Sequence, residues 1–223
     1  MGLRAFDALD PADAVTATNA GLGFIAVAVA PSAPGIAARL ILLAGIADAL
    51  DGIIARRTGG SEVGPTLDSL ADVASFGVAP AAMVVFATDT APWDVAAILL
   101  GAFFVAGAVL RLGLYTTFDT KDRVTKGVQT TLAATILAAG YLSGAPAWSI
   151  VLGLGLFGAL MLGERVYPDL RVRHAFVMGA IQALAVAFPV AFGAVFPRGL
   201  LAWALAYLLL APRYYPGAEG KRS

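Results

Sequence analysis

The sequence predicts an all-α, polytopic transmembrane bundle of about eight helices. Three observations carry this: a hydropathy too high for a soluble fold, apolar runs of spanning length, and a one-sided distribution of cations. Of 223 residues, 59% are apolar and only 13% charged, and the mean hydropathy is +0.82. Soluble domains carry about 25% charged residues. A soluble chain of this length would lack the polar surface to cover itself, whereas lipid accepts an apolar exterior.

Apolar runs place the helices at 13–30, 36–57, 66–87, 93–115, 127–143, 147–164, 174–195 and 198–212. A spanning helix needs about 20 residues. The fifth, sixth and eighth are near or below the lower end of the range, so their ends stay open. The last two also admit a re-entrant hairpin. No repeat or low-complexity segment divides the chain, and a single domain over 1–223 is expected. There is no cysteine, which excludes disulfides and thiolate metal sites, and the net charge of zero gives no reason to expect a nucleic-acid partner.

Eight spans put Arg4, Arg56, Arg57, Arg111, Lys121, Arg123, Lys126, Arg165, Arg171, Arg173, Arg213, Lys221 and Arg222 on one side, and only Arg39 and Arg198 on the other. The positive-inside rule then places both termini and the charged loops in the cytoplasm. The opposite loops are the turn-forming stretches 31–35, 89–92 and 143–146, rich in proline, glycine and serine or aspartate.

The segment from Asp48 to Asp72 interrupts this apolar pattern. Asp48 and Asp51 lie near the end of the second helix, and Asp68 and Asp72 near the start of the third. A carboxylate at a helix centre costs about 2.5–3.5 kcal/mol on insertion scales. The only nearby cations, Arg56 and Arg57, sit in the loop. Spacings of three and four project each pair from one side of its helix. The short loop, with Gly59 and Gly60, makes the helices antiparallel neighbours, so both pairs are expected to face one cavity. Clustered carboxylates repel unless a cation neutralises them. Oxygen donors without His or Cys select magnesium, manganese or calcium, and a two-metal site commonly serves phosphoryl transfer. The expected cofactors are two divalent cations, Mg2+ or Mn2+. A cation transporter would instead spread its carboxylates across the membrane depth.

The run Asp48-x2-Asp51-Gly52-x2-Ala55-Arg56-x7-Gly64-x3-Asp68-x3-Asp72 resembles the signature of the CDP-alcohol phosphotransferases. The resemblance implies an enzyme that cleaves a CDP-activated substrate and releases CMP. It implies that Asp48, Asp51 and Asp68 are metal ligands, and that Asp72 is the catalytic base and also lies near the second metal. It makes Gly52, Ala55, Arg56 and Gly64, with Asp51, the cradle for the CDP moiety. The stretch Asp68 to Pro80, with its Ser75-Phe76-Gly77-Val78-Ala79-Pro80 run, is similar to the phosphatidylserine synthase branch. So are Thr16-x2-Asn19 and Val166-Tyr167-Pro168. The branch usually carries a second arginine, an aromatic and an asparagine after Arg111, where this chain has Leu114, Tyr115 and Thr116. A Gly-Leu-Pro-like segment reads Gly127-Val128-Gln129 here.

By that resemblance the partners are a CDP-activated lipid donor, a small polar alcohol acceptor such as L-serine, and the membrane lipids. A homodimer is compatible with it. Glycerol phosphate or an inositol phosphate is the alternative acceptor, but a phosphorylated acceptor needs more cations than Arg111, Lys121, Arg123 and Lys126 readily supply. Arg111 and Lys126 are the candidate acceptor-binding residues, with snorkelling to the interface as the alternative role for each. The expected location is the cell membrane, with the active site at its cytoplasmic face.

Overall fold

The computed structural model describes residues 9–88, 93–119, 125–167 and 172–214. Arg4, Lys121, Arg123, Arg171, Lys221, Arg222 and the 89–92 turn lie outside the described residues. Among the described residues eight helices form the bundle, as the hydropathy predicts.

Helix α1 (Pro11–Val29) starts at a capping box in which Asp10 accepts from the Ala12 N–H and Asp13 accepts from the Asp10 N–H. Helix α2 (Pro34–Thr58) follows a tight turn and ends on Gly59, whose φ of +101° suits glycine and whose N–H donates to Ala55 O. Helix α3 (Gly64–Ala87) contains one π-helical stretch, Val73–Val78, where the Ala79 N–H donates to Ala74 O, five residues back. Pro80 has no N–H for the ladder, so the regular α register is already broken at this point. Helix α4 (Asp94–Leu114) runs on into a π-turn, Tyr115–Asp119. The remaining helices are α5 (Thr130–Leu142), α6 (Ala147–Met161), α7 (Val172–Ala187) and α8 (Ala191–Tyr214).

Two boundary regions differ from the sequence expectation in ways that matter for the fold. The fifth helix starts at Thr130 instead of 127. Residues Thr125–Lys126 form a short strand, β1, pairing antiparallel with β2 (Val166–Tyr167), and Gly127 follows with φ +74°. The junction of the last two helices falls near Pro189, not at Phe196–Pro197. Proline disfavours a helical residue before it, which ends α7. Phe192, Gly193 and Ala194 then turn left-handed, at φ +51°, +67° and +61°. Pro197 falls in the first regular turn after them, where a missing N–H costs nothing.

Helices α1, α3, α4 and α8 are long and apolar enough to cross a membrane. Helix α2 has the length, at 25 residues, but carries Arg39, Asp48, Asp51, Arg56 and Arg57. It packs against α1, α3, α5 and α7, which leaves Arg39, Asp48 and Asp51 at least half-buried, while Arg56 and Arg57 are exposed at its end. Two reciprocal bonds tie it to α7. Arg39 Nε donates to Val186 O at 2.7 Å, and Gln182 Nε2 donates to Leu42 O at 2.6 Å. Arg39 therefore serves a carbonyl in the last turn of α7, the favourable end for a cation. Helix α5 is the inner helix, buried from Leu132 to Gly140. Large apolar side chains such as Phe24, Leu99 and Leu209 point outward, as a lipid-facing surface requires.

Candidate active site

Carboxylates gather where α2 and α3 run side by side. Asp48, Asp68 and Asp72 each offer an oxygen within 4.8 Å of the other two. Asp68 and Asp72 are one turn apart on α3, and Asp48 meets them from α2. Asp72 is only 7% exposed, and its Oδ1 has no hydrogen-bond partner among the described residues. The set fits a hard divalent cation, because three clustered anionic oxygens, one of them unserved by any donor, need a positive charge between them.

Asp51 takes a neighbouring position. Three residues advance a helix by about 300°, so Asp51 sits roughly 60° around α2 from Asp48. It is buried against α1, where Thr16 Oγ1 donates to its Oδ2 at 2.7 Å. It stays close enough for its charge to act on Asp48 and Asp68. Gly52 lies under the Arg56 guanidinium: a β-carbon there would come 3.4 Å from the Arg56 nitrogen. Ala55 is half-buried and Arg56 is exposed at the mouth of the loop.

The loop carrying Gly59 to Gly64 is latched to the start of α1. Thr58 Oγ1 donates to Asp10 Oδ1 at 2.8 Å, and Ser61 Oγ donates to buried Asp13 at 3.0 Å. Gly64 lies against the same Asp13 carboxylate. Sequence reasoning missed both aspartates of this latch. The Asp10-Pro11-Ala12-Asp13 capping pattern was the available signal.

A small cavity of about 150 Å3 opens onto the three carboxylates. It is lined from α4 by Arg111, Leu112 and Tyr115, and from α5 and its cap by Gln129, Thr130 and Thr131. Arg111 is 7% exposed, with its guanidinium carbon 5.7 Å from the Tyr115 ring centroid, within cation–π range. Lys126 is exposed on β1 and is not part of the cavity wall. Tyr115, Gln129, Thr130 and Thr131 were not singled out from sequence as site residues, because a lone tyrosine and three small polar residues carry no motif. Thr116 hydrogen-bonds Ser69 while donating to Leu112 O, so it joins α4 to α3 between Asp68 and Asp72.

The Gly127-Val128-Gln129 departure lies beside the Val166-Tyr167 stretch that is similar to the serine branch. Lys126 pairs with Val166, the Gly127 N–H donates to Arg165 O at 2.9 Å, and the Val128 N–H donates to Leu160 O at 3.1 Å. A β-carbon on Gly127 would overlap the Met161 carbonyl. Burial pushes the Tyr167 phenol up, and its ring packs on Tyr207. Near the first helix, Gly23 lets the backbone of Ser75 approach, and Ser75 Oγ donates to Asn19 O at 2.7 Å. The Asn19 amide is fully buried, without a hydrogen-bond partner among the described residues.

Fold and site together define an all-α membrane protein with an acidic cluster that could hold metal at one end of its central helices. The chain belongs to the CDP-alcohol phosphatidyltransferase family, whose model matches residues 11–162. It is similar to archaetidylserine synthase of Methanothermobacter thermautotrophicus, at 32% identity over 136 residues, 59% of this chain and 58% of that protein. It is also similar to CDP-diacylglycerol–serine O-phosphatidyltransferase of Methanocaldococcus jannaschii, at 35% identity over 132 residues, 58% of this chain and 62% of that one. The enzyme of the same name from Mycobacterium leprae is 45% identical over 85 residues, 37% of this chain and 27% of its own length. The matched region thus spans about three-fifths of the first two relatives.

Proposed function

We propose that this protein transfers a phosphatidyl or ether-lipid phosphatidyl-type group from a CDP-lipid to the hydroxyl of L-serine and releases CMP. One observation carries the reading: three carboxylates on α2 and α3 share a single small cavity with the buried guanidinium of Arg111. The names of the relatives support serine as the acceptor.

Asp48, Asp51, Asp68 and Asp72 would hold the divalent cations. Once bound, these supply positive charge against the donor's diphosphate as the bond to CMP breaks. Gly52, Ala55, Arg56 and Gly64 form the bed for the CDP moiety, with Arg56 able to reach a phosphate from the loop. Asp72 accepts the proton of the acceptor hydroxyl. The hydroxyl oxygen bonds to the lipid-side phosphorus, the phosphorus–oxygen bond to CMP breaks, and CMP leaves carrying the electron pair. Arg111 binds the acceptor's carboxylate. Lys126 stands outside the cavity wall and has a lesser claim on the acceptor. The charge asymmetry of the sequence supports a cytoplasmic position for this end of the bundle, where CMP and serine are soluble.

The cavity is well below the roughly 300–1,000 Å3 of pockets for drug-sized ligands. It suits a small zwitterion better than an inositol phosphate. The test is CMP release by the purified protein with CDP-diacylglycerol and a panel of acceptors. Serine-dependent release is expected. Release with glycerol phosphate and none with serine would overturn the acceptor.

A further inference from the structure

We infer that the first turn of α5, through the Thr130 hydroxyl and the amides beside it that no side chain caps, is the seat of the acceptor's carboxylate, shared with Arg111. This rests on the serine reading above and names the group that would hold serine in place.

The cavity divides by charge. The residues from α2 and α3 are acidic, while those from α4 and α5 are one cation, one leucine and neutral hydrogen-bonding groups. The first set would be taken up by the divalent cations and the donor's diphosphate, which leaves the second, with its cation and hydrogen-bond donors, to receive the acceptor's carboxylate.

Helix α5 presents its N-terminus to the cavity. Gln129 is the N-cap residue, in extended conformation, and no side chain caps the helix. The first-turn N–H groups are therefore not served by a capping side chain, and the positive end of the helix dipole lies there. Such a terminus favours an anion. Thr130 supplies independent evidence for a ligand. It is 1% exposed, it lines the cavity, and its Oγ1 has no partner among the described residues. Elsewhere in the chain, threonines 16, 18, 88, 116 and 117 turn their hydroxyls back onto the carbonyl four residues earlier. Thr130 opens its helix and has no such helical carbonyl behind it, so its hydroxyl stays available in a buried place where an unmet donor is costly.

The seat is also held in place. Immediately before Gln129, the Gly127 and Val128 amides are bonded to Arg165 and Leu160, and β1 pairs with β2. A preorganised donor set binds with less ordering cost than a mobile one.

The experiment uses the purified full chain in detergent with CDP-diacylglycerol, comparing wild type, Thr130→Val and Thr130→Ser. Acceptors are L-serine and L-serinamide, which keeps the hydroxyl and amine but lacks the carboxylate. Thr130→Val should raise the KM for serine about ten- to a hundredfold, as loss of a hydrogen bond to a charged group does. The KM values for CDP-diacylglycerol and for serinamide should stay within about twofold, and Thr130→Ser should restore the serine KM. If the valine variant does not fold, Thr130→Ala carries the same comparison. An unchanged serine KM, an equal shift for serine and serinamide, or a joint loss of donor affinity would overturn the seat while leaving serine as the acceptor. A wild-type enzyme that ignores serine would overturn the acceptor reading and the seat with it.

Discussion

Thr16 on α1 donates a 2.7 Å hydrogen bond to Asp51 Oδ2 on α2, which joins the first helix to the acidic motif. The bond lies in a buried place, since both residues are at most 6% exposed. It explains why Asp51 sits beside the cluster of Asp48, Asp68 and Asp72 instead of within it. The hydroxyl holds one carboxylate oxygen of Asp51 against α1.

Thr16→Val removes that donor and keeps the shape. A hydrogen bond to a charged group is worth about 1.5–3 kcal/mol. The metal concentration giving half-maximal activity should rise about tenfold or more, while Thr16→Ser stays near wild type. Direct metal titration by calorimetry should show the same ranking. Equal metal affinity in Thr16→Val and wild type would reduce Thr16 to a packing residue.

The acidic cluster sets a second expectation. With three carboxylates within 4.8 Å, activity should vanish in excess chelator and return on adding Mg2+ or Mn2+. The readout is CMP release. The bare cluster should also be less stable, because its charges repel. The thermal midpoint in detergent should therefore rise when metal is restored. Full turnover in metal-free buffer would refute metal dependence.

Asp72→Asn separates base from ligand. The side chain keeps its size and loses its capacity to take a proton. General-base contributions are typically about 10²–10⁴-fold, so kcat should fall at least that far while CDP-lipid binding persists. Asp51→Asn should weaken donor binding instead. If both variants lose donor binding equally, Asp72 acts mainly as a ligand.

Arg111→Met tests the cation of the cavity while keeping an unbranched apolar stem. The serine KM should rise by about one to two decades, the effect of a charge-assisted bond, with the donor KM little changed. The steady-state KM for each substrate distinguishes this from a general loss of the fold, which would lower kcat and thermal midpoint together. No change in the serine KM would confine Arg111 to its packing on Tyr115.

Much of the architecture was legible in the chain. The apolar runs located eight helices because burial in lipid demands continuous apolar sequence. The helix starts at Pro34 and Gly64-Pro65 and the stop at Gly59 follow from local backbone chemistry. The junction after α7 was misplaced because two prolines, Pro189 and Pro197, both offer a break. Only the left-handed run Phe192 to Ala194 decides between them. That run contains two residues with side chains that ordinarily avoid positive φ, so propensity argues against it.

The sequence by itself determined the membrane class, the helix count and the acidic motif that marks the family. Each is written in neighbouring residues, as hydropathy over twenty positions or as carboxylates three and four apart. Tertiary structure alone decided which groups meet. It sent Asp51 to Thr16, latched the loop before Gly64 to Asp13, buried Arg111 over Tyr115 and brought Thr130 to the same cavity as Asp72. Apart from Arg111 and Tyr115, which are one turn apart, these pairs lie 35 to 58 positions apart, on helices whose rotation about their axes is set by packing against several neighbours at once. No local pattern encodes that rotation, because the energy that selects it comes from contacts that exist only after the bundle has closed.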